Sequence, residues 1–146
     1  MTIAAILRGK GDAVISIGPD ARVADAVALL ARHGIGAVPV MAADADAAEV
    51  VGIFSERDVI HVLAADGAAA LDRTVGEVMT SPVESIGPRD AAIGALSLMT
   101  RRRIRHLPVV DGGRMIGFVS IGDIVKYRID RIEADAAAMR DYIQSA

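Results

Sequence analysis

Two short segments of the chain carry the same serine and the same aspartate at the same spacing. Ser55 and Asp58 lie in GIFSERD, and Ser120 and Asp123 lie in GFVSIGD. A serine followed three residues later by an acidic side chain is typical of a helix N-cap. A carboxylate held at the start of a helix can also accept hydrogen bonds from two neighbouring hydroxyl groups of a sugar. Both interpretations remain open at this point.

A run of basic residues, RRRIRHLP from Arg101 to Pro108, is the second group that could contact a ligand. Basic side chains at the end of a helix usually complement its negative pole, and this explanation suits the first residues of the run. Arg105 and His106 instead fall at the start of a predicted strand, beside the expected cleft. The first half of the chain has a Gly-Ala pair at the corresponding positions, 36–37, so the two halves differ in charge.

No combination of residues indicates catalysis. The chain lacks a glycine-rich phosphate loop of Walker or Rossmann spacing, and no serine has a plausible His–Asp relay. It contains no cysteine, which excludes disulfides and thiolate metal sites, and its three histidines lack ligand spacing. A net charge of −3 argues against a broad basic surface for nucleic acid. We expect a protein that is not an enzyme, holds no metal and binds no nucleic acid.

The composition predicts an aliphatic core, since 53% of the residues are apolar but only 3% are aromatic. No apolar run approaches the roughly 20 residues needed to cross a bilayer. The first residues, MTIAAILRGKGDAV, show no signal-peptide pattern. The expectation is a soluble cytoplasmic protein without membrane contact.

An internal duplication organises the chain. Residues 14–41 align with residues 83–110 without a gap and agree at 11 of 28 positions, including SIGP and a Pro-Val pair. The motif GIFSERD then aligns with GFVSIGD after an excess of four residues in the first half. Unrelated sequences would agree at only about one position in fifteen to twenty. The chain therefore consists of two related halves.

Each half predicts a β-α-β-β-α unit preceded by a lead-in helix. Because about 60 residues is marginal for independent folding, the halves should pack together with pseudo-twofold symmetry. The predicted class is α/β (α+β). A proline in one strand of each half indicates either an edge position or a place where the ladder bonding is interrupted. The segments, in order within each half, are the lead-in helices TIAAIL and TVGEVM, the strands AVISI and PVESI (each closed by a Gly-Pro turn), the helices ARVADAVALLARH and RDAAIGALSLMTRR, the strands AVPVM and HLPVV, the strands EVVGIFS and RMIGFVS, and the helices ERDVIHVLAA and GDIVKYRIDRIEADAAAMRDYIQ.

The predicted divisions are a first repeat over residues 1–66, a second repeat over residues 67–126 and a helical tail over residues 127–146. In the tail an interrupted apolar stripe recurs at near-helical spacing, which predicts packing on the repeats or on a second copy of the chain. The stripe consists of Tyr127, Ile132, Met139, Tyr142 and Ile143.

The order, spacing and duplication of these motifs resemble the cystathionine-β-synthase-type (CBS) domain, and two in tandem resemble a CBS pair, or Bateman module. VGEVMTSPVESIGP and IRHLPVVDGGRMIGFVSIGDIV carry the resemblance, which runs from about Thr2 to Val125. It implies a stand-alone regulatory module that binds AMP, ADP, ATP, NAD(H) or S-adenosylmethionine in clefts between the repeats, AMP foremost. It also implies a homodimer and an unknown regulated protein. The alternative is a structural or interaction protein with vestigial clefts that acts through oligomerisation.

The resemblance also implies roles for individual residues. Asp58 and Asp123 match the positions that bind ribose, and Ser55 and Ser120 fall near the nucleotide. Arg105 and His106 match the positions that contact phosphate. An apolar adenine pocket is expected from first-strand residues and their neighbours, namely Val14, Ile15, Ile35, Pro82, Val83 and Ile104. Gly52 and Gly117 are either ordinary strand glycines or places where the backbone approaches a ligand closely.

Overall fold

A computed structural model describes residues 1–11 and 13–145 as a mixed α+β fold with two small antiparallel sheets. The order of elements repeats, as the duplication predicts. Short 3-10 turns at Ala45–Ala47 and Gly67–Asp72 lie outside the predicted elements. The elements are α1 (Ile3–Lys10), α2 (Val23–His33), β1 (Ala37–Met41), β2 (Val50–Ser55), α3 (Glu56–Asp66), α4 (Val75–Val78), α5 (Ala92–Arg102), β3 (His106–Asp111), β4 (Arg114–Ser120) and α6 (Ile121–Ser145).

Each sheet is a single hairpin, β1 with β2 and β3 with β4. Gly112 and Gly113 connect β3 to β4 with φ angles of 59° and 79°, which suits a tight two-residue hairpin turn. Pro39 pairs with Ile53 in the first hairpin, and Pro108 occupies the same place in the second. Because β1 also forms a bridge with Ile17 and β3 with Ile86, the prolines do not lie on free edge strands, and the prediction of an edge position is wrong. The alternative, an interruption of the ladder bonding, is confirmed.

The prediction of strands over residues 13–17 and 82–86 is wrong. Each segment forms one parallel bridge, at Ile17 or at Ile86. The N–H of Ile17 donates to the Pro39 carbonyl at 3.2 Å, and the N–H of Met41 donates to the Ile17 carbonyl at 2.9 Å. The next bond of a parallel ladder would need an N–H from Pro39, which proline lacks. The proline therefore ends the ladder after one bridge, and Pro108 has the same effect in the second half.

The two lead-in helices are exchanged between the halves. Ile3 and Ile6 of α1 are buried in the core of the second repeat, whereas Val75 of α4 is buried in the core of the first. Backbone bonds fix both crossings: the N–H of Ile3 donates to the Asp90 carbonyl at 3.0 Å, and the N–H of Val75 donates to the Ala21 carbonyl at 2.7 Å. Neither repeat completes its core without a helix from the other. The predicted packing of the two halves against each other is therefore made by exchanged helices.

Gly52 and Gly117 lie where these exchanged lead-in segments cross the hairpins. A Cβ at Gly117 would lie 2.6 Å from a methyl carbon of Leu7, and one at Gly52 would overlap the sulfur of Met79. Both glycines are buried. The close approach in this structure is therefore to the protein's own lead-in segments, which supports the interpretation of Gly52 and Gly117 as strand glycines.

The buried face of α5 is formed mainly by small residues, and the buried face of α6 differs from the stripe predicted for the tail. On α5 the buried residues are Ala92, Ala95 and Met99, while Ile93 is 61% exposed. Helix α6 is continuous from the second repeat through the tail, and within this chain Tyr127 is the last of the predicted tail stripe to pack on the core. The remaining members of the stripe, Ile132, Met139, Tyr142 and Ile143, are exposed. The prediction that they pack on the repeats of the same chain is wrong.

Among the described residues, no helix combines the length and the apolar character needed to cross a bilayer.

Replacing Met99 with Ala should destabilise the fold by about 2–5 kcal/mol, because a fully buried side chain is lost and a cavity remains. Ile93→Ala on the same helix is the matched control and should change the free energy of unfolding by no more than about 0.5 kcal/mol, since that side chain is exposed. Urea unfolding followed by circular dichroism measures both. Equal effects of the two variants would show that the burial pattern of α5 is incorrect.

Candidate functional site

A cleft of about 390 Å³ lies between the two repeats. We call it the inter-repeat cleft. Its volume falls within the range of small-molecule sites, roughly 300–1,000 Å³. One wall comes from the first repeat and the other from β3, β4 and the start of α6, while the end of α1 reaches in from the side. The lining residues are Lys10, Ala13, Val14, Ile15, Gly34, Ile35, Gly36, Ala37, His106, Phe118, Ser120 and Asp123.

Asp123 and Ser120 are placed in this cleft by a capping box at the junction of β4 and α6. The Asp123 carboxylate accepts from the N–H of Ser120 at 2.8 Å, and the Ser120 hydroxyl accepts from the N–H of Asp123 at 3.0 Å. These bonds satisfy donors at the start of α6 and fix the orientation of the carboxylate. Both bonds to the carboxylate among the described residues use Oδ2. The N-cap interpretation is therefore correct, and it leaves Oδ1 available to a ligand.

Lys10 is the cation of the inter-repeat cleft. Its ammonium lies 2.7 Å from Asp123 Oδ2 and also donates to the Phe118 carbonyl at 2.6 Å. Partial burial acts to raise the pKa of Asp123, but the hydrogen bonds from Lys10 and from the Ser120 N–H outweigh it and hold that pKa below its usual value. The carboxylate is therefore ionised at neutral pH.

His106 lies across the cleft with its ring stacked on Phe118, the ring centroids being 5.6 Å apart at an angle of 14°. Burial lowers the pKa of His106, and the positive charge of Lys10 lowers it further. The imidazole is thus mainly neutral at pH 7 and acts as a hydrogen-bonding and stacking group. At that pH the positive charge of the cleft comes from Lys10.

The first aspartate, Asp58, has different partners. Its Oδ2 accepts from the backbone N–H of Ser55 at 2.9 Å and from the Ser55 hydroxyl at 3.1 Å, and its Oδ1 accepts from the Thr80 hydroxyl at 2.9 Å. The capping box predicted for α3 is therefore present. Thr80 follows lead-in helix α4 and approaches Asp58, whereas Lys10 ends lead-in helix α1 and approaches Asp123. The two aspartates therefore contact different groups, a hydroxyl at Asp58 and an ammonium at Asp123.

The inter-repeat cleft gathers half of the predicted site residues. Those present are Val14, Ile15, Ile35, His106, Ser120 and Asp123. Those that do not line it are Ser55, Asp58, Pro82, Val83, Ile104 and Arg105.

The internal repeat relates these two groups. Arg105 aligns with Gly36, and Gly36 lines the inter-repeat cleft. Arg105 therefore occupies the corresponding position on the opposite side of the pseudo-twofold axis, the side of Asp58. Arg105 and His106 are adjacent in sequence, but only His106 reaches the cleft described above.

Six of the twelve lining residues were not identified from the sequence as site residues, and Lys10 and Phe118 are the two of them with large side chains. Phe118 lies inside the repeated motif GFVSIGD, and its alternation with Ser120 along β4 could have indicated that both belong to this region. Lys10 is 113 residues from Asp123 in the chain, and no local pattern predicts their contact.

Comparison with known proteins agrees with this architecture. The CBS domain family model matches residues 11–65 and 75–130. This chain belongs to the CBS domain family. The two matched ranges make it a tandem CBS pair, and each contains one Ser-x-x-Asp motif.

Three similar proteins illustrate the relationship. A mitochondrial CBS domain-containing protein of Arabidopsis thaliana is 32% identical over 98% of this chain and 72% of its own length. A CBS-domain-containing protein of Agrobacterium tumefaciens has a solved structure with a TM-score of 0.81 and 39% identity, covering 87% of this chain and 92% of that one. A CBS domain protein of Pyrobaculum aerophilum, solved in complex with AMP, has a TM-score of 0.74 and 26% identity, covering 84% of this chain and 89% of that one.

Replacing Lys10 with Met should raise the pKa of Asp123, because partial burial would then act without the opposing ammonium. A carboxyl group with a lowered pKa stabilises the fold above the pKa of the unfolded chain, and this stabilisation is lost as the pH falls through the folded-state pKa. Lys10→Met should therefore shift the acid loss of stability to higher pH. Carbon-13 NMR titration of the Asp123 carboxyl measures the pKa directly.

Arg8→Met is the control for this experiment, since it removes an exposed cation from the same helix. It should leave the pKa of Asp123 unchanged. An equal change in both variants, or in neither, would contradict a specific contact between Lys10 and Asp123.

Proposed function

We propose that this CBS pair is a non-catalytic regulatory module that binds an adenosine nucleotide in the inter-repeat cleft, with AMP as the preferred ligand. The observation that carries the proposal is the convergence of three chemistries in one cleft. An oriented carboxylate (Asp123), a cation (Lys10) and an apolar wall from the first repeat match the ribose, the phosphate and the base of a nucleotide.

Each part of the nucleotide would contact a different group of the inter-repeat cleft. Val14, Ile15 and Ile35 provide the apolar surface for adenine. Asp123 Oδ1 accepts a hydrogen bond from a ribose hydroxyl, with the Ser120 hydroxyl beside it. The AMP complex of the Pyrobaculum aerophilum relative supports this choice of ligand class. NAD(H) and ATP contain the same adenosine unit and would use the same groups.

Lys10 plays two roles in this proposal. Without a ligand its ammonium pairs with Asp123 at 2.7 Å. A phosphate entering the cleft offers a more highly charged partner, so Lys10 moves from the carboxylate to the phosphate and frees Asp123 for the ribose. His106 adds a hydrogen bond to the phosphate, and the negative charge of the phosphate raises its pKa.

The Asp58 side of the module is proposed as a second, weaker nucleotide site. It combines Asp58 and Ser55 with Arg105 as the phosphate-binding cation, and its apolar residues are Pro82, Val83 and Ile104. The Thr80 hydroxyl already bonds the carboxylate oxygen of Asp58 that a ribose would use. A nucleotide must displace this bond, so binding here should be weaker than in the inter-repeat cleft.

An interaction protein that acts through oligomerisation, with vestigial clefts, is the second candidate function. The apolar residues exposed along α6 favour it. The two candidates differ in one measurable property, because only the sensor is stabilised by a nucleotide in a saturable manner. A homodimer, a cytoplasmic location and a regulated partner protein remain predictions.

Asp123→Ala should weaken AMP binding by about 1.5–3 kcal/mol, roughly 10- to 150-fold in Kd, because a hydrogen bond to a charged group is lost. Isothermal titration calorimetry measures the affinity, and thermal unfolding verifies that the variant is folded after losing its capping bond. Asp58→Ala should affect only a second, weaker binding event. The control is Asp111→Ala, which removes an exposed carboxylate from the β3–β4 hairpin. Unchanged affinity in folded Asp123→Ala would contradict the ribose assignment.

Lys10→Met should weaken the binding of AMP but not of adenosine, because the lost contact is to phosphate. Adenosine should bind as well as before or more tightly, since Asp123 no longer has to be released. Arg105→Ala should produce the same discrimination at the second site only. Titration of each variant with AMP and with adenosine measures the difference. Equal losses for both ligands in Lys10→Met would assign Lys10 to packing rather than to phosphate.

A further inference from the structure

Glu56, the first residue of α3, places a carboxylate beside the inter-repeat cleft, where the proposed function gives it no role. Gly36 lines this cleft, and Glu56 Oε1 lies 3.4 Å from the point where a Cβ on Gly36 would stand. His106 Cε1 lies 3.7 Å from the same point. Since Glu56 is not itself a lining residue, its carboxylate stands at the rim of the cleft, close to the His106 ring.

The negative charge of Glu56 is not neutralised by a neighbouring cation. In the part of the chain that the structure describes, no ion pair involves this carboxylate. The adjacent Arg57 donates instead to the carbonyl of Arg103, at 3.0 Å. The charge acts on the cleft, because burial lowers the pKa of His106 and the carboxylate of Glu56 opposes that effect.

The internal repeat shows what occupies the same place on the Asp58 side. The N–H of Glu56 donates to the Gly36 carbonyl at 3.0 Å, and the N–H of Ile121 donates to the Arg105 carbonyl at 2.8 Å. The same backbone bond therefore carries a Gly–Glu pair in one half and an Arg–Ile pair in the other. A carboxylate stands at the rim of the inter-repeat cleft, whereas the equivalent pair on the other side contributes a guanidinium.

This carboxylate affects how many phosphates a ligand can carry. In the proposed complex, Lys10 and His106 hold the first phosphate inside the cleft. Further phosphates extend past His106 to the rim, where each added negative charge meets the carboxylate of Glu56. Like charges a few ångströms apart repel even at a surface, where water weakens the repulsion without removing it. A repulsive group of this kind rejects the wrong ligand without adding a contact to the correct one.

We propose that Glu56 is a specificity-determining residue that restricts the inter-repeat cleft to nucleoside monophosphates, because it repels the second and third phosphates of longer nucleotides. The inference rests on the proposed function, since it defines the class of nucleotide that the same site accepts. ADP and ATP would use the same groups as AMP but bind more weakly. The Asp58 side, which has Arg105 in place of Gly36, lacks this repulsion.

Glu56→Gln removes the charge and keeps the size of the side chain. NMR titration of the full chain with AMP, ADP and ATP, followed at the His106 ring, measures each Kd. Because His106 lines the inter-repeat cleft, its shifts report on this site rather than on the Asp58 side. Divalent cations are left out because they neutralise phosphates. The ratio of the Kd for ATP to the Kd for AMP should fall about three- to tenfold in the variant, and the ratio for ADP should fall less.

Two further variants separate this effect from a general change in charge. Glu49→Gln removes an exposed carboxylate at the other end of β2 and should leave the ratio unchanged. Gly36→Arg combined with Glu56→Ile installs the pair of the second half in the same backbone bond, and this variant should bind ATP more tightly than AMP. Thermal unfolding verifies that each variant is folded.

A pH titration of the His106 ring without nucleotide tests the placement of Glu56 independently of any ligand. Glu56→Gln should lower the pKa of His106, because the other charges that act on it, Lys10, Asp123 and Arg105, are unchanged. An unchanged pKa would show that the two side chains do not face each other and would overturn the proposal.

The nucleotide titrations distinguish failure of this inference from failure of the proposed function. AMP binding by the parent protein, together with a ratio that Glu56→Gln changes no more than Glu49→Gln does, would overturn only the role of Glu56. Absence of saturable binding of all three nucleotides to the parent would overturn the proposed function and this inference with it.

Discussion

The exchange of lead-in helices between the two repeats determines most of the architecture. Ile3 and Ile6 complete the core of the second repeat, and Val75 completes that of the first. Each crossing depends on a glycine in the opposing hairpin, because a side chain at Gly117 would collide with Leu7. The two repeats are therefore held together by shared cores. The same crossing carries Lys10 to Asp123 and closes one side of the inter-repeat cleft.

A symmetric fold has acquired unequal chemistry through a few residues. Both capping boxes are present, but an ammonium reaches Asp123 and a hydroxyl reaches Asp58. Gly36 directly precedes β1 and Arg105 directly precedes β3, so the two residues occupy equivalent positions in the internal repeat. The inter-repeat cleft thus receives its cation from lead-in helix α1, whereas the arginine on the Asp58 side, Arg105, comes from the second repeat. The backbone sets where the two sites lie, and these substitutions set their charge.

Helix α6 connects the inter-repeat cleft, the core of the second repeat and an exposed apolar face. Its first turn holds Asp123, its next residue, Ile124, is fully buried in the core, and its exposed face begins at Val125. The carboxylate that faces the cleft and the side chain that anchors α6 in the core of the second repeat are therefore adjacent in one helix.

The sequence by itself determined the duplication, the order of the elements in each half and the capping boxes. These features depend on residue identity over a few neighbouring positions, such as Ser120 with Asp123 or Gly112 with Gly113. The predicted strands at 13–17 and 82–86 failed because their pairing depends on a proline in another strand, which supplies no N–H beyond a single bridge.

Only the tertiary structure decided which residues meet in the cleft. Lys10 contacts Asp123 and the Phe118 carbonyl across 113 and 108 residues of sequence, respectively. The need for glycine at positions 52 and 117 likewise arises from distant side chains, Met79 and Leu7, that pack against them. The sequence of the chain gives the periodicity of each helix, but it does not determine which of the two repeats a lead-in helix packs against. That choice depends on the fit of complete cores, which is a property of the folded chain.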